Sequence, residues 1–143
     1  MKKILFVSIP LILLITLFAA CSKKEDTVID TSTSSILIQS NWRISYFSTN
    51  GNDSSIYYNN IKLTFTAGGA VAAANDILAV NGTWSTYNND SRNNLLLNFG
   101  NTVAFIAELN HDWHIIEKTS VKLRMEDVSG GAGSTDYLTI ERN

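Results

Sequence analysis

His111-Asp112-Trp113-His114, with Glu108 three residues upstream, is the stretch of this chain whose residue types come closest to a zinc site. Zinc takes imidazole and carboxylate ligands in a tetrahedral arrangement, so both rings would have to converge on one point. The spacing works against it. Residues three apart on a strand face opposite ways, and only a helical turn would bring the two imidazoles together. The segment reads better as a loop running into a strand, with Trp113 and Ile115 facing inward and His114 facing water or packing at a rim.

The other reactive groupings fail on similar grounds. Glu126 and Asp127 are adjacent, so on a strand they point in opposite directions and cannot share one substrate as acid and base. The run from Ser129 to Asp136 is glycine-rich like a phosphate loop, but it has no lysine and no helix follows it. No strand-turn-helix pattern sets a serine beside a base. The expectation is a protein without catalytic residues, metal or cofactor, and not an enzyme.

The single cysteine is informative for another reason. Lys2 and Lys3 precede an apolar run over 4–18, and Ala19-Ala20 supply the small residues of a signal-peptidase site. The run is shorter than a membrane span requires and contains Ser8 and Pro10. Phe18-Ala19-Ala20-Cys21 resembles a bacterial lipobox, in which the cysteine is lipidated before cleavage; Phe18 stands where an aliphatic residue is usual, with Leu17 one position back. The resemblance implies a signal peptide over 1–20, a lipid anchor on Cys21 and an outer-membrane location, on the periplasmic or the cell-surface side. Such an anchor leaves no thiol for a disulfide or a nucleophile.

Cleavage before Cys21 removes two of the eleven Lys and Arg and none of the thirteen acids, which takes the formal charge from -2 to -4. The remaining cations are scattered, which argues against nucleic acid as a partner. Residues 22–35 are rich in Ser, Thr and charge and lack aromatics, the composition of a flexible tether. Glu25 and Asp26 resemble the signal that sends lipoproteins of Bacteroidetes-type bacteria to the cell surface, and they serve equally as solvating charges.

Residues 36–143 read as one β domain. Trp42, Ile44 and Tyr46 alternate with Arg43 and Ser45, and Ile61, Leu63 and Phe65 alternate with Lys62, Thr64 and Thr66, the period of half-buried strands. Further strands are expected at 70–74, 80–87, 94–99, 113–118, 121–128 and 137–142, separated by Asn, Asp, Gly and Ser turns. No run is long enough for a crossover helix, so the strands pair antiparallel. One short helix is expected at 102–109, with Val103, Ile106 and Ala107 on its packed face.

Asn41-Trp42 at the head of the first strand, Asn81-Gly82-Thr83-Trp84, and Ser129-Gly130-Gly131 leading to Asp136-Tyr137-Leu138-Thr139 resemble small lipocalin-like domains of bacterial lipoproteins. The resemblance implies an up-and-down antiparallel barrel of about eight strands. It also implies a structural contact between Trp42 and Arg142 or Arg124, and a small apolar ligand in the barrel mouth. Tyr46, Phe65, Trp84, Tyr87 and Phe99 are the candidate ligand-lining residues, with Tyr57 and Tyr58 at the rim.

The alanines of 70–74 fit either an interior with space or close packing against a neighbouring strand. A barrel of this size holds its own side chains or one small ligand, so hollow and filled versions share a pattern. A filled barrel would point instead to a protein-interaction module, its partner unknown. Either way the domain is expected to act as a monomer.

Overall fold

The computed structural model describes residues 32–89, 91–128 and 133–143. The expected signal peptide, Cys21, most of the tether and the Ser129-Gly130-Gly131 motif lie outside the described residues.

Eight antiparallel strands close on themselves: β1 (Asn41–Thr49), β3 (Lys62–Phe65), β4 (Ala70–Ala74), β5 (Ala79–Asn89), β6 (Arg92–Asn98), β7 (Asp112–Lys118), β8 (Lys122–Asp127) and β9 (Asp136–Arg142). A ninth strand, β2 (Asn52–Asp53), pairs only with the end of β1. Each strand hydrogen-bonds to the next in sequence, and β9 returns to β1 with Trp42 opposite Arg142 and Phe47 opposite Leu138. Among the described residues closure leaves no long sheet edge to be satisfied by another chain.

The connections alternate between the two ends of the barrel. At one end lie α1 (Thr33–Leu37), which leads into β1, and the β3–β4, β5–β6 and β7–β8 turns. At the other lie the 3₁₀ turn Ser55–Tyr58, the β4–β5 turn, α2 (Ala104–Ala107) and the β8–β9 connection. We call these the α1 end and the α2 end. Ser32 caps α1, its Oγ accepting from the Ser35 amide. Thr33, Ile36 and Leu37 are buried, so the last residues of the stretch read as tether belong to the domain.

Three local departures from strict periodicity have identifiable causes. Ser45 is an extra residue in β1, since Ile44 pairs with Ile140 and Tyr46 with Thr139. This bulge turns Tyr46 outward and brings Phe47 into the core, correcting the expected inward set of Trp42, Ile44 and Tyr46. The expected helix at 102–109 shrinks to the single turn of α2, because Val103 has no side-chain oxygen to cap it; Val103 is exposed and Ile106 is fully buried. The small residues mark close packing. A Cβ on Gly82 would lie 2.8 Å from the Phe99 ring and 2.5 Å from the Asn98 carbonyl oxygen. Ala73 and Val71 flank this seam on β4, opposite Val80 and Gly82.

Candidate functional site

The natural place to look for a site in a closed barrel is its interior, and here the interior is occupied by the chain's own side chains. Trp42, Phe47, Tyr58, Leu63, Leu95, Leu97, Trp113, Leu123, Met125, Leu138 and Ile140 are all essentially inaccessible and belong to one continuous apolar cluster. Rings meet across the centre: Phe47 lies 4.9 Å from Tyr58 and 6.2 Å from Trp113, centroid to centroid. Edge-to-face contacts of this kind add to the gain from burial.

Both ends are plugged, and by one device. At the α1 end, Trp42 donates its indole N–H to the Leu37 carbonyl at 2.9 Å. At the α2 end, Trp113 does the same to the Leu109 carbonyl at 3.1 Å. A buried indole N–H needs an acceptor, and both indoles find one at the end of a short helix. The Leu37 carbonyl has the Trp42 indole as its donor, whereas the Leu109 carbonyl also takes the His111 amide at 2.9 Å. Tyr58 completes the α2 plug, donating its hydroxyl to the Phe105 carbonyl at 2.6 Å beside Glu108. Burial, and then the nearby Glu108 carboxylate, push the Tyr58 hydroxyl well above the ordinary tyrosine range.

The five candidate lining residues separate. Phe65, Trp84 and Phe99 point inward and are buried; Phe65 meets Trp84 edge-on at 5.4 Å, and the Trp84 indole donates to the Thr66 carbonyl of the β3–β4 turn. Phe65 and Phe99 are core; Trp84, though buried, also borders an open cleft of about 380 Å³ between α1 and β5, with Ser34, Ile38 and Thr86. Tyr46 and Tyr87 stand on the outer wall with about two fifths of their surface exposed. Tyr57 is exposed, whereas its neighbour Tyr58 is buried in the plug rather than at a rim. Arg142 lies opposite Trp42 and reaches the Gln39 side chain at 3.3 Å, with its Nε buried and unpartnered. Arg124 is on the outer face, bonded to Glu117.

The two histidines diverge. His111 Nδ1 meets the buried Asp127 carboxylate at 2.5 Å, tying the α2 connection to the end of β8. His114 faces outward and meets Asn94 at 3.4 Å. Glu126 and Asp127 point to opposite walls, Asp127 inward and Glu126 outward opposite His114. No cluster of three metal-binding side chains occurs among the described residues. The His111–Asp127 pair joins residues far apart in sequence, and only the strand register, invisible in composition, brings them together.

Open clefts lie on the outer wall. One of about 480 Å³ is lined by Tyr87, Asn89, Arg92, Asn94, Asp112 and His114. Tyr87 hydrogen-bonds Asp112 there, and that bond to the carboxylate raises the Tyr87 hydroxyl above its ordinary range. A smaller one, about 250 Å³, lies between Tyr46, Arg124 and Tyr137. Glu117, beside it, is held below the usual carboxylate range by its bonds to Arg124 and Lys122. These are shallow polar recesses between outward side chains, suited to contact with another surface.

The molecule is thus an all-β protein of the closed, up-and-down antiparallel barrel class, with a filled interior. It is similar in fold to a DUF4847 family protein from Bacteroides vulgatus whose crystal structure is known, at 16% sequence identity and a TM-score of 0.52; the match covers 78% of this chain and 98% of that one. No family model and no curated protein matches the sequence.

Proposed function

We propose that the protein is a cell-envelope lipoprotein, anchored in the outer membrane through Cys21, whose lipocalin-like barrel acts as a monomeric interaction module. The observation that carries this reading is the occupied interior: two fully buried tryptophans bonded to the helices that plug the two ends, with Phe47 and Tyr58 between them. A carrier needs a cavity of a few hundred Å³ open at one end. Function then falls to the outer surface. The loops of the α2 end offer exposed Ile56, Tyr57, Ile77 and Val103 beside Asp53 and Asp76, and the segments 50–61, 75–78, 99–111 and 128–135 contain no Lys or Arg. Such a surface suits a protein partner with basic groups around an apolar contact.

Carriage of a small apolar ligand is the rival reading, supported by the barrel class and by the cleft beside Trp84. Native mass spectrometry of the unlipidated mature chain, made with Cys21→Ser in its own host, separates the two. The expected native mass equals the denatured polypeptide mass. A reproducible extra mass lost on denaturation would overturn the interaction reading in favour of a carrier.

A further inference from the structure

The α1 end carries a surface with a different character. Ile38, just past α1, is 42% exposed, and Val121, in the β7–β8 turn, is 51% exposed. Arg142 joins them: its amide donates to the Val121 carbonyl at 2.8 Å and its guanidinium to the Gln39 side chain at 3.3 Å. Lys118 and Lys122 flank Val121, and the Thr119 amide closes the turn on the Lys122 carbonyl. Nearby, Lys122 and Arg124 share Glu117, and Arg43 bonds Glu141. Among the described residues Lys118, Lys122 and Arg142 therefore surround two apolar tips, with Lys122 also bonded to Glu117.

The chain's own layout selects the occupant. Ten residues separate Cys21 from Ser32, which caps α1 at this same end. Even fully extended they span no more than about 40 Å. A lipid anchor at Cys21 therefore keeps this end beside a membrane at high effective concentration, where a weak patch suffices to dock it. Anionic headgroups attract Lys and Arg at close range, and small apolar side chains enter the interfacial layer.

We propose that the α1 end rests on an anionic lipid surface, with Ile38 and Val121 in the headgroup layer and Lys118, Lys122 and Arg142 on lipid phosphates. This orientation directs the acidic and apolar loops of the α2 end away from the membrane. It rests on the Cys21 anchor for proximity, while the patch can be measured without it.

The test is co-sedimentation of the unlipidated mature chain carrying Cys21→Ser with vesicles of phosphatidylethanolamine mixed with phosphatidylglycerol, against vesicles of phosphatidylcholine. Binding to the anionic vesicles that weakens about tenfold or more in the Lys118→Glu/Lys122→Glu chain is the expected result. It should also fall in high salt and with Val121→Asp, and be unmoved by Ile56→Asp at the other end. Lys118→Gln/Lys122→Gln gives a milder change, and thermal melts establish that the variants remain folded. Equal affinity for both vesicle types, or anionic binding indifferent to the lysine pair, overturns the proposal. So does a photo-crosslinker at position 121 that captures an envelope protein in cells and no lipid. Fractionation of a Cys21→Ala strain reads the anchor separately: retention in the membrane would refute lipidation while leaving the vesicle result intact.

Discussion

The two ends of the barrel are closed by the same contact and differ in nearly everything around it. Trp42 and Trp113 are both fully buried, and each gives its indole N–H to a carbonyl just after or within the last turn of a very short helix. At the α1 end it is joined by Ile36 and Leu37, by the Trp84 indole on the Thr66 carbonyl and by the Ser34–Thr86 bond that ties α1 to β5. At the α2 end it is joined by Tyr58 on the Phe105 carbonyl and by His111 on Asp127. The α2 contacts hold the longest loops, where a long connection costs more conformational entropy to keep in place.

The largest expected effect breaks or upholds the shared device. Trp42→Ala and Trp113→Ala should each destabilise the domain by about 3–5 kcal/mol in chemical denaturation, from lost burial and the cavity left behind. Trp42→Phe keeps most of the ring and removes the N–H, leaving the Leu37 carbonyl short of a donor, for about 1–3 kcal/mol; Trp113→Phe should cost less, since the Leu109 carbonyl keeps the His111 amide at 2.9 Å. If Trp42→Ala cost less than about 1 kcal/mol, the α1 end would be a loose cover and the likeness between the ends would fail. Asp127→Ala comes next, at about 1–3 kcal/mol, since it strips the buried partner from His111. It should speed amide exchange over residues 99–111 and leave α1 unchanged. Equal acceleration at both ends would mean that the plugs are one cooperative unit.

How far the sequence announced this arrangement differs between the ends as well. Trp42 at the head of β1, and the return of β9 beside it, follow from period-two patterning and from resemblance to lipocalin-like domains, and all eight barrel strands are readable from alternation and turn residues. The bulge at Ser45 is not, since one inserted residue reverses every side chain after it without altering composition. That is why Tyr46 was expected inside and stands outside. Tyr57 and Tyr58 are alike as letters, yet the 3₁₀ turn buries one and exposes the other. The outer clefts gather Tyr87, Asn94 and His114 from three strands, a grouping fixed by register and not by any local motif. The alanines of 70–74 are ambiguous in sequence for a physical reason: a small residue implies close approach or empty space, and only the packing tells which, with Ala73 fully buried and Phe99 pressed against Gly82 on the neighbouring strand.

The smallest effect sharpens the comparison most, because it separates the α2 plug from its twin by pH. Tyr58 is 1% exposed, and its hydroxyl donates to the Phe105 carbonyl next to Glu108, so the folded protein strongly prefers the neutral phenol. Its folded value is raised, first by burial and then by the Glu108 charge, above the value near 10 of an unfolded chain. Below about pH 10 both states carry the proton and the contribution is fully present. As pH climbs past that point the unfolded chain ionises and the folded one resists, so stability falls by up to about 1.4 kcal/mol per pH unit until the raised folded value is reached. Tyr58→Phe should cost about 1 kcal/mol at neutral pH, through the lost hydrogen bond, and should flatten this alkaline decline. Trp42→Phe at the α1 end should leave the decline in place, since no buried phenol lies in that plug among the described residues. Urea midpoints measured from pH 8 to 11 for the three proteins decide it: parallel alkaline slopes for wild type and Tyr58→Phe would remove Tyr58 from the plug's energetics.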